Sequence, residues 1–334
     1  MSSSIFTSKA GWRRFLIAYA AWLLAIGLAL GASVIALDPY DTGRFALFGE
    51  HGVPPFGQRL ADAGLGRQPQ FDTVILGNST LQLIDPARLD KAGLHAVSLA
   101  IPGTGPREQL TIAQWFLRHH PGDKTRALII GISQRWCEAN DDLELTHPFP
   151  FWLYGEDGSD YLVNMMQFQS LESAGRKIGL MLGQGKALPA DGYNDYDVGK
   201  VWDRAGFLER VSADVGKEKE EPELNVAPPY RFEAVKLLKD FFAHAPEGMA
   251  VVLVMPPQFH PDIGLRRSNG AQHRACADAF EALAAERPRT KLIDFLTQSD
   301  LTSREDDYWD RYHYRARVAR VMEETIEDAL KHEE

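Results

Sequence analysis

The sequence predicts an α/β fold: a doubly wound parallel sheet of five strands, preceded by one transmembrane helix and interrupted by a large insertion after the third strand. Three observations carry that expectation. Short apolar runs recur along the chain and alternate with segments of helical periodicity. The first four runs are each followed closely by Gly, Pro or small polar residues, as strand ends require. The stretch from Phe15 to Leu37 is apolar and carries no charge.

That stretch comes first in the chain. At about 1.5 Å per residue its length crosses the roughly 30 Å hydrocarbon core of a bilayer. Lys9, Arg13 and Arg14 precede it and Asp38 and Asp41 follow, so the positive-inside bias leaves residues 1–14 in the cytoplasm. Everything beyond Asp38 is then outside, in the periplasm of a cell with an inner membrane. The alternative is a signal peptide cleaved near Ala29-Leu30-Gly31, although the run is longer than a usual signal core. A juxtamembrane segment, 38–70, is rich in Gly and Pro, and the part from about Gly43 onward is expected to stand as the soluble domain.

The strands are expected at Asp72–Leu76, His95–Ala100, Arg126–Gly131, Ala250–Met255 and Lys291–Phe295. Helices are expected at Arg107–His119, Phe232–His244, Gln272–Glu286 and Arg315–Leu330. Buried strands alternating with helices imply a parallel, flavodoxin-like sheet covered on both faces, within an α/β domain over 71–334. The insertion, 137–229, exceeds an ordinary connection and is a candidate lid or subdomain. It contains a helix around Tyr161–Leu182 and the aromatic residues Phe149, Phe151, Trp152, Tyr154 and Tyr161, which are expected to form its own small core, with stacking on sugar rings as the alternative.

Composition narrows the function. The chain has 334 residues, 45% of them hydrophobic, and a net charge of -10, which suits a globular core and argues against a nucleic-acid partner. Its two cysteines, Cys137 and Cys276, are too few for a disulfide framework; each reads as a small buried apolar residue, with a bridge between them as the alternative. Gly103-Thr104-Gly105 lacks the third glycine of a dinucleotide fingerprint, and Gly183-Gln184-Gly185-Lys186 fails as a phosphate loop. The acidic run Asp191–Asp197 does not have calcium-loop spacing and reads as a solvated turn. His119 and His120 complement the dipole of a helix end. No metal or organic cofactor is expected.

In a parallel sheet the ligand crevice forms outside the carboxyl ends of the strands. Ser79, in Gly77-Asn78-Ser79-Thr80, follows the first strand, with Gly77 expected to let the backbone turn sharply. A serine so placed needs a base and an oxyanion site to attack an ester. The base comes from Asp310-Arg311-Tyr312-His313, where a carboxylate three residues from an imidazole can fix its tautomer. The plainer alternatives are that Ser79 and Asp310 cap the helices that follow them and His313 lies on the surface.

Taken together these blocks resemble the SGNH (GDSL-like) hydrolase superfamily over roughly Asp72–Leu330, with the insertion unmatched. Gly77-Asn78-Ser79 is similar to the nucleophile block, Gly103 to the second-block glycine, Gly131-Ile132-Ser133 to the third block and Asp310–His313 to the closing Asp-x-x-His. Asn78 stands where many members have Asp, and Ser133 where the family has an oxyanion Asn. The resemblance implies Ser79 as nucleophile, His313 as base and Asp310 as its orienting partner. The oxyanion would be held by backbone N–H groups of Ser79 and Gly103, with help from Ser133 or Gln134. With its membrane helix and insertion, the chain looks most like the membrane-anchored accessory proteins that work beside membrane-bound O-acyltransferases on envelope polysaccharides. That implies a serine esterase or acyltransferase acting on O-acyl groups, acetyl above all, of a polysaccharide, in partnership with such an acyltransferase. A noncatalytic glycan-binding protein and a plain small-substrate esterase are the other classes.

Overall fold

A computed structural model describes residues 9–45, 47, 57–90, 93–138, 143–220, 228–259, 268–297 and 299–331. Helix α1 (Lys9–Leu37) is followed by α2 (Gln58–Leu65), β1 (Thr73–Gly77), α3 (Pro86–Leu89), β2 (Ala96–Ala100), α4 (Pro106–His119) and β3 (Ala127–Gly131). The insertion contributes α5 (Phe151–Tyr154), α6 (Gly158–Met165), α7 (Phe168–Met181) and α8 (Arg204–Glu220). The chain ends in α9 (Glu233–Phe242), β4 (Ala250–Met255), α10 (Ser268–Ala285), β5 (Thr290–Asp294), α11 (Asp300–Ser303) and α12 (Ala316–Lys331).

All five strands are parallel, in the order β2-β1-β3-β4-β5. Every residue of β1 to β4 is buried, which is why these strands read as continuous apolar runs rather than alternating ones. Alternate residues serve two cores. Val74, Leu76, Leu128, Ile130, Val251 and Leu253 face the side covered by α2, α4, α9 and α10, and Ile75, Ile129, Val252 and Val254 face α3, α8 and α12. Successive strands proceed outward on opposite sides of β1, so the connections diverge at the carboxyl ends of β1 and β3.

Gly11–Leu37 is a single helix long and apolar enough to cross a membrane. Its last residues are not free, because Val34 is buried in the first core and the turn after it is locked to the insertion. Lys177 of α7 donates to the Asp38 carbonyl at 2.7 Å and to the Asp41 carboxylate, both charged side chains being almost wholly buried. Burial raises the Asp41 carboxyl above its ordinary value, against the opposing pull of Lys177. Thr42 donates to Asp38 Oδ1 at 2.9 Å, and the Tyr40 and Ser170 hydroxyls meet at 3.2 Å. The packed α/β domain therefore includes residues before Gly43. A piece starting there would leave Lys177 buried without its carboxylate, a loss that typically costs about 3–5 kcal/mol.

The same clamp explains why Tyr161–Leu182 is two helices. In one straight helix Tyr161 and Lys177 would lie about 24 Å apart, yet both reach Asp38. The chain breaks at Gln167, which is extended, and α7 folds back. The insertion's aromatic residues build no core of their own: Phe149, Tyr154 and Tyr161 are buried within the first core of the main domain, and Phe151 and Trp152 pack against it. Nor are the cysteines reduced. Cys137, after β3, and Cys276, in α10, form a disulfide with Cα atoms 5.5 Å apart across a sequence separation of 139, a proximity that only the tertiary fold creates.

Candidate active site

Ser79 opens a short 3-10 turn immediately after β1, capped by Asn78, whose Oδ1 accepts from the N–H of Thr80 at 3.0 Å and from its hydroxyl at 2.8 Å. Gly77 is needed for room rather than for an unusual backbone angle. Leu81 folds back over the ends of β1 and β3, and a Cβ on Gly77 or Gly131 would lie 2.8 or 2.5 Å from its side-chain carbons. The paired glycines thus let the turn settle on the sheet with Ser79 at its edge, half-buried.

His313 arrives from the other end of the chain. Its Nε2 is 2.8 Å from Ser79 Oγ, and its Nδ1 is 2.7 Å from Asp310 Oδ2. The other Asp310 oxygen accepts the backbone N–H groups of Tyr312 and His313, each at 2.8 Å, so one carboxylate shapes the turn and orients the ring. Burial alone would raise the Asp310 carboxyl. The hydrogen bond and charge of His313, with the two N–H groups, outweigh it and hold the carboxyl below its usual range. Asp310 therefore stays ionised at neutral pH and selects the tautomer that keeps a proton on Nδ1, leaving the Nε2 lone pair for Ser79.

The acidic run of the insertion is not a solvated turn. The Asp191 carbonyl accepts from Ser98 N at 2.8 Å, closing the exposed edge of β2, and Gly192, with φ +71°, lies so close that a Cβ would meet the Ser98 carbonyl. Its far end grips the histidine loop. Asp197 accepts from Trp309 Nε1 at 2.7 Å, from Ala316 N at 3.0 Å and from Arg315 Nε at 3.2 Å. Tyr196 sets its ring edge-on to His313, centroids 5.9 Å apart, and donates its hydroxyl to the Tyr314 carbonyl at 3.0 Å. Burial, then the Asp310 and Asp197 carboxylates, push the Tyr196 hydroxyl up, which keeps it a neutral donor. Asp191 and Asp195 spend their carboxylates on local backbone N–H groups. Among the described residues no group of three or more His, Cys, Asp or Glu side chains is placed to hold a metal.

The remaining residues singled out by the sequence follow neighbouring strands. Gly103, after β2, has φ +71° and lies under the His147 imidazole, 2.9 Å from where its Cβ would be. Ser133 and Gln134 follow β3. Ser133 is buried, and its Oγ has no hydrogen-bond partner among the described residues. Ser79, His313 and Asp310 are joined by hydrogen bonds, whereas Gly103, Ser133 and Gln134 make none to Ser79 among the described residues. Tyr196, Asp197 and His147 escape a reading of local motifs. The only sign in the sequence is the density of Tyr and Asp in a segment otherwise read as loop. His119 and His120 each place Nδ1 against a backbone carbonyl at the end of α4. No protein-family model and no curated protein matches this chain.

Proposed function

We propose that the chain is a membrane-anchored, extracytoplasmic serine acyltransferase or esterase of the SGNH hydrolase type, acting on O-acyl groups of an envelope or exported polysaccharide. The observation that carries this reading is the line Ser79 Oγ, His313 Nε2, Asp310 Oδ2, with separations of 2.8 and 2.7 Å. In such a line, His313 takes the hydroxyl proton as Oγ attacks the acyl carbonyl. It returns that proton to the departing alcohol oxygen, leaving an acyl ester on Ser79. A second hydroxyl, from a sugar or from water, then gives its proton to His313 and attacks the ester, and Ser79 is reprotonated. The positive charge formed on the ring at each step lies against the Asp310 carboxylate. The oxyanion is stabilised by the backbone N–H groups of Ser79 and Gly103, with the Ser133 hydroxyl, which has no partner among the described residues, or the Gln134 amide, as the side-chain donor.

Three observations support anchoring and export. Gly31, the candidate cleavage point, is itself buried where α1 packs on Met166, so a cut there would fall inside a packed helix. The Cys137–Cys276 disulfide suits an oxidising compartment. Arg13 and Arg14 stand before the apolar run. A membrane-bound acyltransferase is the proposed acyl source.

Incubating the detergent-solubilised full chain with p-nitrophenyl acetate tests the reading. An initial burst of nitrophenol and an acetylated Ser79 peptide, both lost in Ser79→Ala, are expected. Acetate release without any acetylated Ser79 would contradict it. Complete inertness would favour a noncatalytic glycan-binding protein, to which the substitution of Ser133 for an amide donor also points.

A further inference from the structure

Helix α7 is amphipathic in the inverted sense. Its domain-facing stripe is small or polar, with Ser170, Ser173, Ala174 and Lys177 buried, while its outward stripe is apolar. Phe168, Leu171, Ile178 and Leu182 recur at helical spacing and are 81%, 40%, 43% and 70% exposed. Val163 and Met166, at the end of α6, continue the patch at 71% and 56% exposed. Lone exposed apolar residues are ordinary, but a continuous stripe along two helices marks a surface that is covered in use.

The position of the patch says what covers it. The carboxyl end of α1 packs on both α6 and α7, and a Cβ on Gly31 would fall 2.6 Å from Met166 Sδ. Gly31 lies inside the apolar span. Counted from Phe15, where that span leaves its cytoplasmic arginines, Gly31 stands about 24 Å along the helix axis, within a hydrocarbon core of roughly 30 Å. Met166 therefore shares the depth of the membrane-spanning helix, and the stripe of α7 runs on from it. The Glu172–Arg176 ion pair, 2.6 Å and half-exposed, occupies the neighbouring stripe, where headgroups and water would meet it.

We infer that α6 and α7 lie in the outer leaflet interface beside α1, forming a second, monotopic attachment that holds the domain against the lipid surface. This inference rests on α1 being the membrane anchor proposed above. Burying the apolar stripe in acyl chains removes it from water, while the clamp of Lys177 on Asp38 and Asp41 ties the hairpin rigidly to the point where the chain leaves the bilayer.

The two native cysteines are paired with each other, so a single introduced cysteine takes a thiol-reactive fluorophore uniquely. The full chain, labelled at Phe168→Cys, Ile178→Cys or Leu182→Cys, is placed in phosphatidylcholine nanodiscs with or without brominated acyl chains. Trp22→Cys in α1 and the exposed Glu209→Cys in α8 serve as the lipid-embedded and aqueous references. Expected is loss of most of the fluorescence to brominated lipid at 168, 178 and 182, as at 22, and none at 209. Quenching at 22 without quenching on α7 would overturn the attachment while leaving the anchor intact, whether the stripe faces water or a protein partner. Recovery of a chain lacking α1 would overturn both.

Discussion

The loop bearing His313 and the loop bearing Ser133 both follow the sheet's carboxyl edge, but they are held differently. Around His313 each key group has a further attachment: Asp310 binds two backbone N–H groups besides the ring, Tyr196 backs the imidazole, and Asp197 ties Trp309, Arg315 and the start of α12 together. Around Ser133 the side-chain attachments bypass the serine: Trp136 Nε1 donates to Gln109 Oε1 at 3.1 Å, and Cys137 is bridged to Cys276. The Ser133 carbonyl accepts from Trp136 N at 2.9 Å, and its side-chain oxygen is buried with no partner among the described residues. In the proposed mechanism proton transfer is thus assembled in advance, whereas the Ser133 hydroxyl is left with spare bonding capacity, an arrangement that is costly unless an acceptor arrives.

Substitutions on the histidine side should break that comparison most visibly. His313→Ala or Ser79→Ala should lower acyl transfer by roughly 10⁴–10⁶-fold, measured as turnover of p-nitrophenyl acetate, because the members of such a unit fail together. Asp310→Asn should cost on the order of 10⁴-fold by the same assay, since an amide can favour the wrong tautomer of His313. Its control is Asp306→Ala, an exposed carboxylate paired only with Arg304 among the described residues, which should retain activity. Asp307, though also near, makes a poor control. It is buried against Arg317 and Arg304, so its removal would disturb the fold as well.

A smaller effect is expected from the strap. Asp197→Ala leaves the triad intact but frees the histidine loop, and should lower kcat by up to about 10²-fold with little change in KM. An unchanged kcat would mean that the loop holds its shape without the insertion. On the oxyanion side, Ser133→Ala should reduce kcat by about 10²–10³-fold if its hydroxyl is the side-chain donor, while Ser133→Asn should preserve or raise it. Should Ser133→Ala and Gln134→Ala both turn over like the parent, the donor set would reduce to backbone.

The smallest effect concerns acid. Because its folded-state pKa is depressed, Asp310 contributes stability that is present above its ordinary pKa, near 3.8, and lost as pH falls through the lower folded value. Melting temperatures of the parent and Asp310→Asn should converge only below about pH 4. Convergence at neutral pH would show that the carboxylate is not favoured by its surroundings.

These differences also mark what could be read in advance. Strands β1 to β4 were legible because buried parallel strands leave continuous apolar runs, and the two short motifs at Ser79 and Asp310–His313 were legible because each depends on neighbours in sequence. The strap was not. Asp197 acts on Trp309 and Arg315 from more than a hundred residues away, and Lys177 finds Asp41 across the break at Gln167. Nothing local distinguishes these carboxylates from solvated ones. Cys137 and Cys276 pose the same difficulty, since their pairing follows from where α10 packs.

The most direct measurement is fluorophosphonate labelling of the full-length chain, with the modified residue located by mass spectrometry. A single adduct on Ser79 is expected, suppressed in both His313→Ala and Asp310→Ala and retained in Asp306→Ala. Labelling of another serine, or of Ser79 at an undiminished rate without His313, would contradict an imidazole-activated nucleophile at the end of β1.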